Sequence, residues 1–158
     1  MRPLAVIDID GVVADVSHRL HHLSSRPKDW GSFFAAAADD PPLEVGVRRV
    51  RELLADHEVV YLTGRPEWLR KDTERWLAAQ EITGSALHMR RRGDRRPARQ
   101  TKAELLAELA HGREVRIVLD DDPEVVDALA AAGWPVELAT WLPHSRTLAQ
   151  AQETEGRT

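Results

Sequence analysis

The 158 residues hold 22 Lys and Arg against 26 Asp and Glu, a formal net charge of −4, and are 42% hydrophobic and 30% charged. That length suits one domain with a substantial core, and the balance argues against a disordered chain or a surface that is basic overall. The sequence has no cysteine, which excludes disulfides, thiolate metal sites and a cysteine nucleophile. No apolar run approaches the roughly 18 residues of a membrane span, and the early acids of MRPLAVIDIDG do not read as a signal peptide, so a cytoplasmic protein without membrane contact is expected.

In chain order, Leu4–Ile9 reads as a strand buried on both faces and runs into Asp8-Ile9-Asp10-Gly11, two carboxylates one residue apart followed by a glycine. The polar stretch 17–42 breaks the pattern. It holds Trp30, Phe33 and Phe34 and closes on Asp39-Asp40-Pro41-Pro42, and it reads either as a small cap inserted after the first strand or as a long loop with one short helix. Leu43, Val47, Val50 and Leu54 form a helical stripe. Val59–Leu62 is the second strand, followed by Thr63-Gly64-Arg65 and a helix carrying Leu69, Trp76 and Leu77. Ala86–Met89 is a weaker third strand. After it come Arg90, Arg91, Arg92, Arg95, Arg96, Arg99 and Lys102 with Asp94 as the only acid, a positive patch on an acidic protein. Leu105, Leu106 and Leu109 mark the next helix. Val115–Leu119 is the fourth strand and ends in Asp120-Asp121-Asp122. Asp122 as cap with Pro123 behind it starts a helix through Val125, Val126 and Leu129, Gly133 stops it, and Val136–Ala139 is a fifth strand. The last residues, 145–158, are polar and are expected to fray.

Strands alternating with helices predict an α/β fold. The expected architecture is a doubly wound, Rossmann-like parallel sheet of about five strands with helices on both faces and a small cap insertion after the first strand. Residues 1–144 would form the domain, the cap spanning about 17–42, with 145–158 as a tail. In such a sheet the ligand lies beyond the carboxyl ends of the strands. The groups that converge there are Asp8 and Asp10, Thr63, Gly64 and Arg65, the arginine cluster leading to Lys102, and Asp120 with Asp121.

Four carboxylates cannot stay ionised side by side without a counter-charge. Mg²⁺ suits them, since it takes oxygen ligands and is bound through one or two carboxylates plus a substrate phosphate. Ca²⁺ also takes oxygen, but no EF-hand spacing is present, and zinc lacks its usual ligands. Thr63 offers a hydroxyl and Gly64 a close backbone amide, while Arg65 and Lys102 can neutralise phosphate oxygens. An aspartate can attack phosphorus and form an aspartyl-phosphate, and a neighbouring acid can protonate the leaving alkoxide and then deprotonate water. Two carboxylates at positions two apart on a strand share a face and suit that division of labour.

This ordered set resembles the haloacid dehalogenase superfamily of phosphotransferases, with DxDG as Asp8-Ile9-Asp10-Gly11, the hydroxyl motif as Thr63, the lysine as Lys102 and the acidic pair as Asp120-Asp121. It is most similar to the 3′-phosphatase domain of phage-type polynucleotide kinases. The likeness rests on Thr63-Gly64-Arg65, on LHMRRRGDRRPARQTK and on VLDDDPEVVDALAAAGWPVELATW, and it covers about Leu4 to Trp141. The resemblance implies Asp8 as nucleophile and Asp10 as general acid/base. It implies Mg²⁺ held by Asp8, the Asp10 carbonyl and Asp121, with Asp120 as the other possible ligand, and it implies phosphate contacts from Arg65 and Arg19. Two positions depart from that family's pattern: Ala98 replaces an acid, and Asp122 stands where an arginine is expected.

The implied activity is removal of a 3′-phosphate from nucleic-acid ends in repair, with Arg91 and Arg92 on the strand. The alternatives are hydrolysis of nucleotides or other small phosphate esters, and a non-catalytic binding module. The substrate would be a phosphorylated nucleic-acid end or a nucleotide, and a separate kinase or ligase would be the partner.

Overall fold

The computed structural model describes residues 1–158. Its centre is a sheet of β1 (Leu4–Ile7), β2 (Glu58–Pro66), β3 (Ala86–Arg90), β4 (Val115–Asp120) and β5 (Val136–Leu138). All pairings are parallel, in the order β3-β2-β1-β4-β5. The chain walks outward from β1 through β2 to β3, then crosses back to β4 and β5. The reversal beside β1 leaves a crevice at the carboxyl ends of β1, β2 and β4, where such sheets take their ligands.

The first strand is apolar throughout because it is covered on both sides. Ala5 and Ile7 join one core with Val59, Tyr61 and Leu119, sealed by α2 (Glu44–Leu53) through Val47 and Val50 and by α3 (Arg70–Ala79) through Trp76 and Leu77. Leu4 and Val6 join the opposite core with Val60, Leu62 and Val118. That face is sealed by α4 (Ala98–Leu109) through Ala98 and Leu106 and by α5 (Pro123–Ala131) through Val125 and Leu129. Each fully buried aliphatic side chain contributes about 1.5–3 kcal/mol, so the alternation anchors β1 between two cores and holds its end still. The start of α5 matches expectation: the Asp122 carboxylate accepts from the Glu124 amide at 3.0 Å, and Pro123 takes the first helical position.

Two expectations need correction. Ile9 lies beyond the strand, because the amides of Val12, Val13 and Ala14 all turn back to its carbonyl. The chain therefore leaves β1 at Ile7, and Asp10 sits in a tight turn with Gly11 at φ +79°. The second concerns the tail, which is folded. Ser145 caps α6 (Arg146–Ala149), accepting from the Leu148 amide at 3.0 Å, and the helix continues as a wide turn over Gln150–Thr154. Leu148, Ala151, Gln152 and Thr158 are buried. The few apolar side chains find a core, and the charged ones find partners, which the polar composition hid.

The insertion is a helical cap. A 3-10 segment spans Ser17–Leu23, α1 spans Trp30–Ala35 with Asp29 as its cap, and a further turn spans Ala36–Asp39. Leu23, Phe33 and Phe34 pack with Leu69, Met89 and the tail's Ala151. Phe33 and Phe34 thus tie the cap to the body rather than offering faces to a ligand.

Candidate active site

The groups at the carboxyl ends of the strands do meet. Lys102 projects from α4, with Nζ 2.6 Å from Asp120 Oδ2 and 3.1 Å from Asp8 Oδ1. Asp8, Asp120 and Asp121 each bring an oxygen to within 4.8 Å of one another. Asp8 Oδ2 is buried and has no hydrogen-bond partner. Gly11 admits Asp121 into this group, because a Cβ there would stand 2.1 Å from Asp121 Oδ2. Three buried carboxylates with one ammonium, and one oxygen left orphaned, form a donor set that fits a hard cation such as Mg²⁺. Lys102 engages Asp120, while Asp121 turns to Gln152 Nε2 at 3.4 Å and His144 Nε2 at 3.9 Å.

Asp10 belongs to a second network. Its Oδ1 accepts from Arg65 Nε at 2.9 Å, Arg65 Nη2 at 2.7 Å and Arg19 Nη2 at 3.1 Å. Its Oδ2 accepts from Thr158 Oγ1 at 3.1 Å. Asp40 closes the ring. Its Oδ1 accepts from Arg19 Nε at 2.8 Å, and its Oδ2 accepts from Arg65 Nη2 at 2.9 Å and Arg19 Nη2 at 3.0 Å. His18 Nε2 adds a contact to Asp40 Oδ1 at 2.6 Å. Two arginines and two aspartates, all buried, offset one another's charge, which is how such groups remain ionised away from water.

The two motif aspartates are therefore in different electrostatic states. Asp8 is raised to about 7, by burial first and then by Asp120 and Asp10, against the pull of Lys102. Burial would raise Asp10 too, but Arg65 and Arg19 outweigh it and hold Asp10 at about 2. Asp121 is pushed well above the usual carboxylate range by burial and by Asp8 and Asp120. Lys102 is desolvated, yet Asp120 and Asp8 raise it, so its ammonium stays charged.

Thr63 is buried at the end of β2 and its Oγ1 accepts from the Arg65 amide at 3.2 Å. Gly64 is closely approached: a Cβ there would lie 2.1 Å from the Thr158 carbonyl carbon. Asp8, Asp10, Thr63, Gly64, Arg65, Lys102, Asp120, Asp121 and Arg19 are thus buried together around the carboxyl ends of β1, β2 and β4. Arg91 and Arg92 do not join them. Both are exposed, and Arg91 reaches Glu108 on α4 at 3.6 Å. At the end of β3 only Arg90 turns inward, where Nε bonds the Gly64 carbonyl at 3.2 Å and Nη1 the Arg96 carbonyl at 2.8 Å.

Sequence reasoning assigned no role to Asp40, Thr73, Gln152 and Thr158, and met Arg90 only as one member of the arginine cluster. Asp40 was visible in the Asp39-Asp40-Pro41-Pro42 run, but only as the close of the inserted stretch, and nothing local announces its two arginine partners. Thr73 lies across the crevice, with Oγ1 accepting from Arg65 Nη1 at 3.3 Å.

Residues 3–137 match the model of the polynucleotide kinase PNKP phosphatase domain. No curated protein matches the chain in sequence. Among solved structures, a chain from a Pnkp1/Rnl/Hen1 complex superposes with a TM-score of 0.73 at 26% identity, over 87% of this chain and 46% of that one. A chain from the Pnkp1/Rnl/Hen1 RNA repair complex gives 0.70 at 27%, over 87% of this chain and 42% of that one. This chain therefore spans less than half the length of either. The haloacid dehalogenase-like hydrolase SP0104 from Streptococcus pneumoniae matches in fold, with a TM-score of 0.64 at 12% identity over 96% of this chain and 91% of that one. With a matching family model over most of its length and the motif residues gathered in one crevice, the chain belongs to the PNKP-type phosphatase domains of the haloacid dehalogenase superfamily and is a phosphatase.

Proposed function

We propose that the protein is a Mg²⁺-dependent polynucleotide 3′-phosphatase that works through an aspartyl-phosphate on Asp8. The observation that carries this reading is the orphaned, buried Asp8 Oδ2 beside an ammonium and two further carboxylates. Asp8, the Asp10 carbonyl and Asp121 would hold the cation, which supplies charge neutralisation for the carboxylates and the phosphoryl oxygens.

Asp8 Oδ2 attacks phosphorus, forming the acyl-phosphate bond as the bond from phosphorus to the sugar oxygen breaks. Asp10 delivers its proton to the departing alkoxide, then takes a proton from water as that water attacks phosphorus and frees Asp8. Lys102 grips Asp8 Oδ1 and so leaves Oδ2 for the chemistry. Thr63 Oγ1 and the Gly64 amide would donate to phosphoryl oxygens. Arg65 and Arg19, which hold Asp10 low, are also the cations an incoming phosphate would attract. Sharing them with the phosphate returns Asp10 towards the range in which a carboxyl can donate a proton.

Support for a strand end as substrate comes from the family match and from the neighbours at 26% and 27% identity, one described as an RNA repair complex. A role in nucleic-acid repair, alongside a kinase or ligase on a separate chain, follows from the same likeness. The test compares phosphate release from a 3′-phosphorylated oligonucleotide with release from the corresponding 3′-mononucleotide, with Mg²⁺ and with chelator. The expected result is a higher kcat/KM for the oligonucleotide, lost with chelator. Equal rates would point instead to a phosphatase of small phosphate esters.

A further inference from the structure

The segment after α6 lies in the crevice. Thr158 Oγ1 donates to Asp10 Oδ2 at 3.1 Å, its main chain covers Gly64, and its carbonyl accepts from Arg90 Nη2 at 3.4 Å. Gly156, at φ +58°, packs so closely that a Cβ would stand 2.0 Å from the Arg95 carbonyl oxygen. Leading away from this point, the Arg157 guanidinium lies over the Trp30 ring at 4.8 Å. Glu155 pairs with Lys28 of the cap, and Glu153 accepts from the Arg99 amide at 3.3 Å and from Arg99 Nη1 at 2.6 Å. Glu153 also faces Asp122, a like-charged neighbour that a carboxylate would avoid without Arg99. A cleft of about 670 Å³ runs on from here between cap and tail, past Arg26, Lys28 and Trp30.

This arrangement has the chemistry of a bound strand. One end reaches the phosphate-facing Gly64 and the general acid, anionic groups follow at intervals and meet cations, and a planar cation lies on an indole. We propose that the groove filled by residues 153–158 is the path of the substrate strand. Lys28 and Arg99 would contact backbone phosphates, Trp30 would stack on a base, and Glu153 and Glu155 occupy the two cations until a strand displaces them. Base stacking on an aromatic ring and phosphate contacts from Lys and Arg are the two general means of holding a single strand. The inference deepens the 3′-phosphatase reading and rests on it.

The same two ion pairs can be broken from either side, and the two cuts should act in opposite directions. A fluorescent 3′-phosphorylated oligonucleotide is titrated with the full chain by anisotropy, with chelator present to prevent turnover. Lys28→Ala/Arg99→Ala should raise Kd by about tenfold and reduce the slope of log Kd against log salt by about 2, the loss of two phosphate contacts. Glu153→Gln/Glu155→Gln should lower Kd several-fold. Arg2→Ala/Arg116→Ala, at the amino ends of β1 and β4 and so at the far end of the strands from the site, measures the effect of net charge alone and should change Kd by much less. If both cuts shift Kd in the same direction, or neither does, the pairs are only fasteners of the tail and the path is wrong. Turnover of the same oligonucleotide with Mg²⁺ is read separately. Its presence with same-direction shifts overturns the path alone, and its absence overturns the 3′-phosphatase reading and the path with it.

Discussion

Lys102 holds Asp8 by one oxygen only. Its Nζ lies 3.1 Å from Oδ1, while Oδ2 is buried with no partner. An unmet buried acceptor costs about 1–3 kcal/mol, so the free Oδ2 destabilises the fold rather than supporting it. Asp8→Asn should therefore leave the fold intact and lower kcat by more than about a thousandfold, measured as phosphate release beside a circular dichroism spectrum matching wild type.

Lys102→Met removes the ammonium between Asp8 and Asp120 and leaves two carboxylates buried without it. Losing one side of a buried ion pair costs about 3–5 kcal/mol. Urea unfolding should show a loss of that order together with lost activity. Adding Asp120→Asn should recover part of the stability and none of the activity, a separation that a double-mutant cycle reads directly.

Asp40→Asn tests the second network. Arg19 and Arg65 would each lose an anionic partner, lowering stability by about 3 kcal/mol, and their guanidinium groups would lose orientation. Steady-state kinetics should show a raised KM for phosphorylated substrate. His18→Ala, which removes only a half-exposed contact to Asp40, should have a smaller effect on both quantities.

Much of this site was legible because a parallel sheet places its functional groups at strand ends, and strand ends can be read from apolar runs. Asp8, Thr63 and Asp120 each follow such a run, and Lys102 sits one turn into a helix marked by its leucine stripe. Asp40 was not legible, because its partners at positions 19 and 65 are brought to it by the return of the cap. Arg91 and Arg92 lie beyond the end of β3 and stay exposed, while Arg90, the last residue of the strand, turns inward, a difference that a run of three arginines does not show in sequence. The tail reads as polar by composition, yet Leu148 and Ala151 are enough to seat it once Glu153 and Glu155 meet cations supplied by α4 and the cap.

The metal-free protein should lose stability as pH rises from about 4 to about 7. Asp8, raised to about 7 by burial and by Asp120 and Asp10, binds its proton more tightly folded than unfolded. Its contribution is complete below the unfolded value and is lost as pH rises through the folded one. Asp10, held at about 2, acts in the opposite sense, with its stabilisation present above the unfolded value and lost only in strong acid. The expected slope is on the order of 1 kcal/mol per pH unit for each raised carboxyl. Mg²⁺ should reverse the loss near neutral pH, adding about 2.7 kcal/mol at a hundredfold excess over its Kd. Thermal unfolding with and without Mg²⁺ checks this, and Asp121→Ala should remove the Mg²⁺ increment.

The central claim is that the phosphoryl group passes through Asp8, and the stereochemical course at phosphorus tests it most directly. A phosphorothioate substrate made chiral at phosphorus with two oxygen isotopes is hydrolysed in water carrying the third, and the configuration of the released thiophosphate is determined. Two successive in-line displacements, first by Asp8 and then by water, predict net retention. Net inversion would mean that water attacks the substrate directly, and it would contradict the account.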